Sequence, residues 1–592
     1  MTRILRLAVF VAWGFNAQAF VVELNSNGDP LRWHLDPLEP TVPPNLEGQG
    51  VYTNVVNPVT KAIRYFLASD AYSTTNTAAE LNALRASFAQ WEAIPGTVLK
   101  FEEGGLVPPQ VDVNTSDNQN VVFWTKKTDL LVNGEMDNIN GALGVTFNSY
   151  FTDNNAQAEA DIVFNGAQYT WSTDFNSADM TRQFVEGTAT HEIGHFLGLK
   201  HSPVGGATML FHGGGGVNVQ AGLSSDEVAA AKWLYGKAST LATLGRFQGR
   251  VTMNGSSVFG AAVLAEEAAS GNLAAGTVSR ADGSYVLPAL PPGQYNVRVT
   301  PLDAVGANAF LIRGRDIASG YDSAATGFPP TANRAMTLNA GASAPVDFTV
   351  TGGSTAFCIT QIRQASANSG SFRWSSLPAA IRPGQSNYFI GVGSANLPTN
   401  GATLTITGGD GLTLGPASFA TLSGLNFISV SISVASNATP GLRTFIVQRG
   451  ADLAYANGFL EVEADIPDFN FDGFDDRFQR RYFPLFTAPD AGPGADPDGD
   501  GFNNQAEFVA GTDPTNALSL LKIDQVVLNA QGSTVTWQSV ANRRYQVFSR
   551  VDLENAAWQA IGSPVAAGGS TAAFRDVSAT NGFRFYRVQV LP

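Results

Sequence analysis

His191-Glu192-Ile193-Gly194-His195-Phe196-Leu197-Gly198-Leu199-Lys200-His201 holds three of the five histidines in a chain of 592 residues. Four positions separate His191 from His195, so on a helix their imidazoles stand on one face, one turn apart, close enough to grip one ion. The residues upstream favour a helix. Ser177 reads as its N-cap, Asp179 lies in its first turn, and Phe184, Val185, Ala189, Ile193, Phe196 and Leu197 recur at three- and four-residue spacings. Gly198 can adopt left-handed backbone and end that helix, which lets the chain turn back and bring His201 in as a third ligand. Three neutral imidazoles leave the fourth tetrahedral position to water, the open coordination of a catalytic zinc. Glu192, next to the first histidine, is the expected general base. It would take the proton of the zinc-bound water during attack and hand it to the leaving amine.

His-Glu-x-x-His-x-x-Gly-x-x-His followed by Ala207-Thr208-Met209 resembles the metzincins, and Leu199 with His201-Ser202 is most similar to their matrixin branch. The resemblance implies an α+β zinc endopeptidase over residues 20–237, with Met209 as the floor beneath the metal and Leu223 to Gly236 as the last helix. It also implies that Gly141–Phe147 and Ala160–Phe164 are the fourth and fifth strands. Were the first of these the sheet edge, a substrate peptide could add to it in extended form. Further histidines are scarce, since His34 and His212 alone remain, so a single zinc is expected. No cysteine precedes Cys358, which removes the family's pro-segment cysteine switch. Ala78–Glu92 carries Leu81, Leu84, Phe88 and Trp91 at helical spacing, ahead of a strand expected around Val98–Glu102. Asp137, Asn138, Asp153, Asn154 and Asp161 read as turn formers that could also meet calcium.

A chain this long needs several cores. Only 14% of residues are charged while 61 are glycine and 30 proline, which points to all-β modules outside the zinc domain. A formal charge of -15 excludes non-specific nucleic-acid binding. Arg3 and Arg6, an apolar run from Leu7 to Phe15, and Ala17-Gln18-Ala19 read as a secretory signal peptide over residues 1–19. No segment is expected to span a membrane. Arg280–Val286 and Leu290–Val299 resemble the regulatory-like β-sandwich of carboxypeptidases, assigned to residues 244–352, and their Asp-Gly and Pro-Gly pairs are expected to close hairpins. Residues 355–463 follow as an Ig-like sandwich, in which Phe427–Val434 alternates as a half-buried strand should and Cys358 reads as a small buried hydrophobe.

Asp496-Pro497-Asp498-Gly499-Asp500-Gly501 to Glu507 fits a twelve-residue calcium loop. Asp496, Asp498, Asp500, the Phe502 carbonyl, Asn504 and a bidentate Glu507 are its expected ligands. An earlier copy offers Asp468, Asn470, Asp472 and Asp476 but closes on neutral Gln479, so it is expected to be weaker. Residues 466–516 thereby resemble dockerin-like and thrombospondin type 3-like repeats, and residues 519–592 read as a closing β-sandwich. The whole is expected to be multidomain and secreted, acting on a protein or peptide. The sandwiches are free to meet an extracellular-matrix or cell-envelope ligand. The rival reading is an extracellular adhesin whose metal domain is structural. It is disfavoured because a structural zinc is normally closed by a fourth protein ligand.

Overall fold

The structure, a computed structural model, describes residues 22, 29–35, 54–177, 179, 181–212, 220–302, 312–318, 321, 327–365, 372–375, 377–409, 411–554, 557–579 and 584–591, together with the backbone of 4–8. The rest of the expected leader and the run Gly213–Gly216 lie outside them. Two compact units result, residues 1–465 with 469–471, and residues 466–468 with 472–592.

In the first unit a six-stranded sheet supports the histidines. Its strands are β1 (Ile4–Ala8), β2 (Ile63–Ala68), β3 (Phe101–Val107), β4 (Val121–Thr125), β5 (Gly144–Phe151) and β6 (Gln157–Asn165), in the order β1-β5-β6-β4-β2-β3. β2, β3, β4 and β6 run parallel, and β5 is antiparallel to β6. The strand expected around Val98 starts later, because Leu99 is buried ahead of the sheet and pairing with β2 begins at Phe101. β5 is also not the sheet edge, since Ile4–Ala8 pairs antiparallel with Phe147–Phe151.

Two helices pack on this sheet. α1 (Thr77–Glu92) buries Leu81, Leu84, Phe88 and Trp91, as its spacing requires. Phe88 stacks on Tyr65 at 3.9 Å and meets Phe196 edge-on at 5.8 Å, while Trp91 Nε1–H donates to the Thr190 carbonyl. Each such side chain contributes about 1.5–3 kcal/mol by leaving water. α2 (Val185–Phe196) carries the first two histidines, but its N-cap is Phe184 and not Ser177. The competitor is non-local, because Arg182–Phe184 pairs in parallel with Thr170–Ser172. Asp179 is meanwhile spent on the turn, accepting from the amide and hydroxyl of Thr181. α3 (Ser225–Tyr235) begins at a capping box formed by Ser224 and Glu227.

The β-rich remainder of this unit forms two pairs of sheets. Neither Asp282-Gly283 nor Pro292-Gly293 closes a hairpin. Ser284–Leu290 pairs with Gly245–Met253, whereas Leu273–Val278 and Gly293–Thr300 belong to the opposite sheet with Ala262–Glu267. Both turns therefore carry the chain from sheet to sheet, and Gly283 takes a positive φ of 78° to do so. Leu425–Val434 pairs with Tyr388–Ser394, but its burial alternates only from Val430 to Val434, because Phe427–Val430 is buried on both faces. Cys358 is half-buried beside Ser394 and Asn396 rather than sealed in the core.

Hydrophobic cores run across the boundaries expected from sequence. Tyr235, Phe247 and Val350 share one core, and Val204, Ile317, Ile359 and Leu460 share another. The second unit has its own small core around Val535, Trp537, Tyr545 and Val547, between two three-stranded sheets. Among the described residues, no helix is long and apolar enough to cross a membrane.

Candidate metal centre

α2 places His191 and His195 one turn apart, and their ring centroids lie 4.9 Å from each other. Gly198, at a φ of 96°, then reverses the chain, and a Cβ there would sit 2.5 Å from the Leu31 carbonyl oxygen. The reversal brings the His201 ring to 4.9 Å from His195 and 5.2 Å from His191. Each Nδ1 lies 2.8 Å from a backbone carbonyl oxygen, Thr208 for His191, Leu199 for His195 and Asp316 for His201. A carbonyl can only accept, so Nδ1 carries the proton in all three rings and Nε2 keeps its lone pair.

Three bare lone pairs then face one another. His195 Nε2 and His201 Nε2 are 3.3 Å apart, and one ligand atom from each of the three rings lies within 4.8 Å of the others. Tetrahedral zinc with Zn–N bonds of about 2.0–2.1 Å requires roughly that nitrogen spacing, so the donor set fits the ion. Burial holds the rings neutral, pushing His191 down to about 4, His201 to about 3, and His195 well below its usual range.

Beside them, Gly144, Thr146 and Asn148 alternate along β5 and turn toward α2. Thr146 Oγ1–H is 2.7 Å from Glu192 Oε2, and Asn148 Nδ2–H donates to the His195 carbonyl at 3.2 Å. A Cβ on Gly144 would come within 2.8 Å of the Glu192 side chain, so only glycine leaves that carboxylate its place. Burial raises Glu192 to about 7, and the Thr146 hydrogen bond opposes the rise. That is a suitable position for a base working near neutral pH. Met209 is buried beneath α2, where a Cβ on Gly194 would fall 2.2 Å from its sulfur.

The turn holding Met209 is fixed by Glu227, whose Oε2 and Oε1 accept from the amides of Thr208 at 3.1 Å and Met209 at 2.9 Å. Sequence reasoning missed Thr146, Glu227 and Asp316. The alternation of β5 could have flagged Thr146, and the Ser224-x-x-Glu227 capping box could have flagged Glu227. Exposed His212 lies beside Phe211, outside the three-histidine cluster.

The ligands expected from Asp496 to Glu507 have a geometry of their own in the second unit. Asp496, Asp498 and Asp500 each bring a carboxylate oxygen within 4.8 Å of the others. Asp498 Oδ2, Asp500 Oδ2, Asn504 Oδ1 and both Glu507 oxygens are buried without a hydrogen-bond partner. In the earlier loop Asp468 accepts from the amides of Asp472 and Gly473, and Gln479 Nε2–H donates to Asp472 Oδ2 at 2.8 Å. A neutral amide thus takes up one of that loop's carboxylate oxygens. Asp161 is not a turn former, since it lies within β6, where its carboxylate accepts from the amides of Val121 and Asn114.

These features define a half-buried three-histidine centre with an adjacent carboxylate on a helix that packs against a mostly parallel sheet. Residues 59–236 match the family Matrixin, a zinc-dependent metalloprotease family, and residues 246–309 match the Carboxypeptidase regulatory-like domain. No curated protein matches the chain. Among solved structures it is similar to BcpA, the major pilin subunit of Bacillus cereus, at 12% identity over 37% of this chain and 69% of that one, with a TM-score of 0.14. The Bacillus anthracis TIE protein shows 8% identity over 59% of this chain and 45% of that one, with a TM-score of 0.13. Fervidolysin from Fervidobacterium pennivorans, a keratinolytic enzyme related to subtilisin, shows 12% identity over 40% of this chain and 33% of that one, with a TM-score of 0.14. Scores this low carry no argument about the fold or activity of this chain.

Replacing Thr146 with valine tests the environment of Glu192. Its hydroxyl stabilises the ionised carboxylate, and a hydrogen bond to a charged acceptor contributes about 1.5–3 kcal/mol. Without it the carboxyl titrates higher, so at any pH below neutrality less of it is ionised and able to take a proton. The acid limb of kcat/KM against pH moves upward, and Thr146→Val loses more activity at pH 6 than at pH 8. An unshifted acid limb would remove Thr146 from this role.

Proposed function

We propose that the protein is a secreted zinc-dependent endopeptidase that hydrolyses peptide bonds of extracellular proteins, with one zinc held by His191, His195 and His201 and Glu192 as the general base. The observation that carries this reading is the set of three Nδ1–H to carbonyl hydrogen bonds, which turn three Nε2 lone pairs toward one point beside a buried carboxylate. When bound there, zinc supplies a Lewis acid for the scissile carbonyl and lowers the pKa of a water molecule toward neutrality. Glu192 takes the proton of the attacking water at a carboxylate oxygen and returns it to the leaving nitrogen. Thr146 keeps that carboxylate aimed, and Met209 and Gly194 close the floor beneath the rings.

A substrate strand has a natural place along β5, whose first residues border Glu192. Residues 4–8 take that edge in the full chain, and removal of the leader frees it. The loop Asp496–Glu507 binds calcium and stiffens the second unit, and the loop from Asp468 does so more weakly.

Denatured casein and gelatin are the first substrates to try with the purified secreted form. Cleavage is expected to disappear with o-phenanthroline and to return when zinc is added back. Hydrolysis that persists in a preparation stripped of zinc would reject the metal mechanism. A protein that holds one zinc yet cleaves nothing offered would favour the adhesin reading.

A further inference from the structure

Two of the three histidines are steadied from within the matrixin region. His191 donates to the Thr208 carbonyl and His195 to that of Leu199, both inside residues 59–236. The third is not. His201 Nδ1–H donates to the carbonyl of Asp316, 115 positions downstream and beyond both matched domains. We infer that the segment Ile312–Ile317 of the first β-sandwich completes the metal centre, and that the Asp316 carbonyl is the positioning group for His201. This rests on the zinc reading given above.

The carbonyl is held where it is by two independent anchors. On one side the Asp316 carboxylate accepts from the Arg313 amide at 2.8 Å and from the Arg313 guanidinium at 2.8 and 3.0 Å, which closes the single helical turn Gly314–Ile317. On the other, Ile312 and Ile317 are buried in the hydrophobic core that also takes Val204 and Ala207 from the turn between His201 and Met209, and Leu210 just after it. One core therefore fixes both the histidine's own turn and its acceptor.

The sandwiches are tied to the centre elsewhere too. Asp226 at the start of α3 accepts from the Gly276 amide at 2.8 Å, and the Gly205 amide donates to the Asn457 carbonyl at 2.8 Å. A Cβ on Gly205 would meet the Phe459 ring at 2.2 Å, so the contact of this turn with the second sandwich leaves no slack.

The hydrogen bond does specific chemical work. It assigns the proton of His201 to Nδ1, leaves Nε2 free for the metal and stops the ring from rotating about its Cβ. Loss of such an outer partner of a ligating histidine typically costs 10–100-fold in metal affinity. The β-sandwich is on this account a working part of the centre.

The test uses the full-length protein with three variants. Arg313→Ala/Asp316→Ala opens the turn while sparing its apolar anchor, Ile317→Asp expels the turn, and Asp316→Asn keeps an acceptor for the Arg313 amide. Zinc affinity is measured by chelator competition, and the visible absorption of the cobalt-loaded protein reports ligand geometry. Circular dichroism selects the folded variants.

The two opening variants are expected to bind zinc about 10–100-fold more weakly and to give an altered cobalt spectrum, with Asp316→Asn close to wild type. A folded opening variant with wild-type zinc affinity and an unchanged cobalt spectrum would overturn the inference while leaving the zinc reading intact. Wild-type protein that takes up no zinc would overturn both.

Discussion

Changing Glu192 to glutamine is expected to lower kcat/KM on a denatured protein substrate by about 10²–10⁴-fold, the range that a general base contributes, while one zinc stays bound. Glutamine has the same length and still offers an oxygen to the Thr146 hydroxyl, which lies 2.7 Å from the carboxylate in the wild type. The three imidazoles keep their carbonyl partners, so nothing in the variant loosens the metal. What disappears is the ability to take a proton.

Burial has already brought Glu192 to about 7, so the wild-type base is half-protonated near neutrality before any metal charge acts on it. A bound dication draws that value down, so wild-type activity falls on the acid side of neutrality, and the variant's residual activity should show no such limb. Zinc content by metal analysis and hydrolysis of labelled casein decide the matter together. A variant that binds zinc and cleaves as well as wild type would remove Glu192 from the chemistry.

How much of this was legible in the sequence depends on how local each interaction is. The histidine triad could be read because a helical period and one glycine reversal place all three rings within one short stretch. The clustering of Asp496, Asp498 and Asp500 could be read for the same reason, with the carboxylates at fixed short offsets. The start of α2 could not. Ser177 and Asp179 form a sound cap pattern, but pairing of Arg182–Phe184 with Thr170–Ser172 claims the intervening backbone, and no local propensity reports that partner.

The Asp-Gly and Pro-Gly turns failed in a similar way. Their glycines do reverse the chain, but the strand after Asp282-Gly283 is received by Gly245–Met253 and the strand after Pro292-Gly293 by Ala262–Glu267, both upstream of the turns. Asp316 is the extreme case, because its useful atom is a backbone carbonyl, which every residue carries. No side-chain pattern could have singled it out.

Removing calcium is expected to distinguish the loop Asp496–Glu507 from the loop that begins at Asp468, and Glu507 is the residue that shows it. Both its oxygens are buried and unpartnered, as are Asp498 Oδ2 and Asp500 Oδ2. Burial first, opposed by the Thr512 side chain, and then the charges of Asp498, Asp500 and Asp513, push its carboxyl up to about 7. Without a cation the folded loop therefore binds a proton more tightly than the unfolded chain does. Its contribution to stability is full below the ordinary glutamate pKa and is lost as pH rises through about 7.

A dication reverses that sign by rewarding the ionised form. At a calcium concentration 100 times the dissociation constant the gain is about 2.7 kcal/mol. Glu507→Gln should therefore behave in opposite ways in the two conditions. In EGTA at pH 8 it melts at or above the wild-type temperature, because a buried repulsion is gone. With calcium present it melts below wild type, because the bidentate ligand is lost.

The first loop already has a neutral amide at its closing position, where Gln479 Nε2–H donates to Asp472 Oδ2 at 2.8 Å. Disabling Asp472 should accordingly change the calcium response much less than disabling Glu507. Melting followed by circular dichroism, with and without calcium, tests both statements. Equal calcium shifts in wild type and Glu507→Gln would rule out the Asp496–Glu507 loop as the source of the stabilisation.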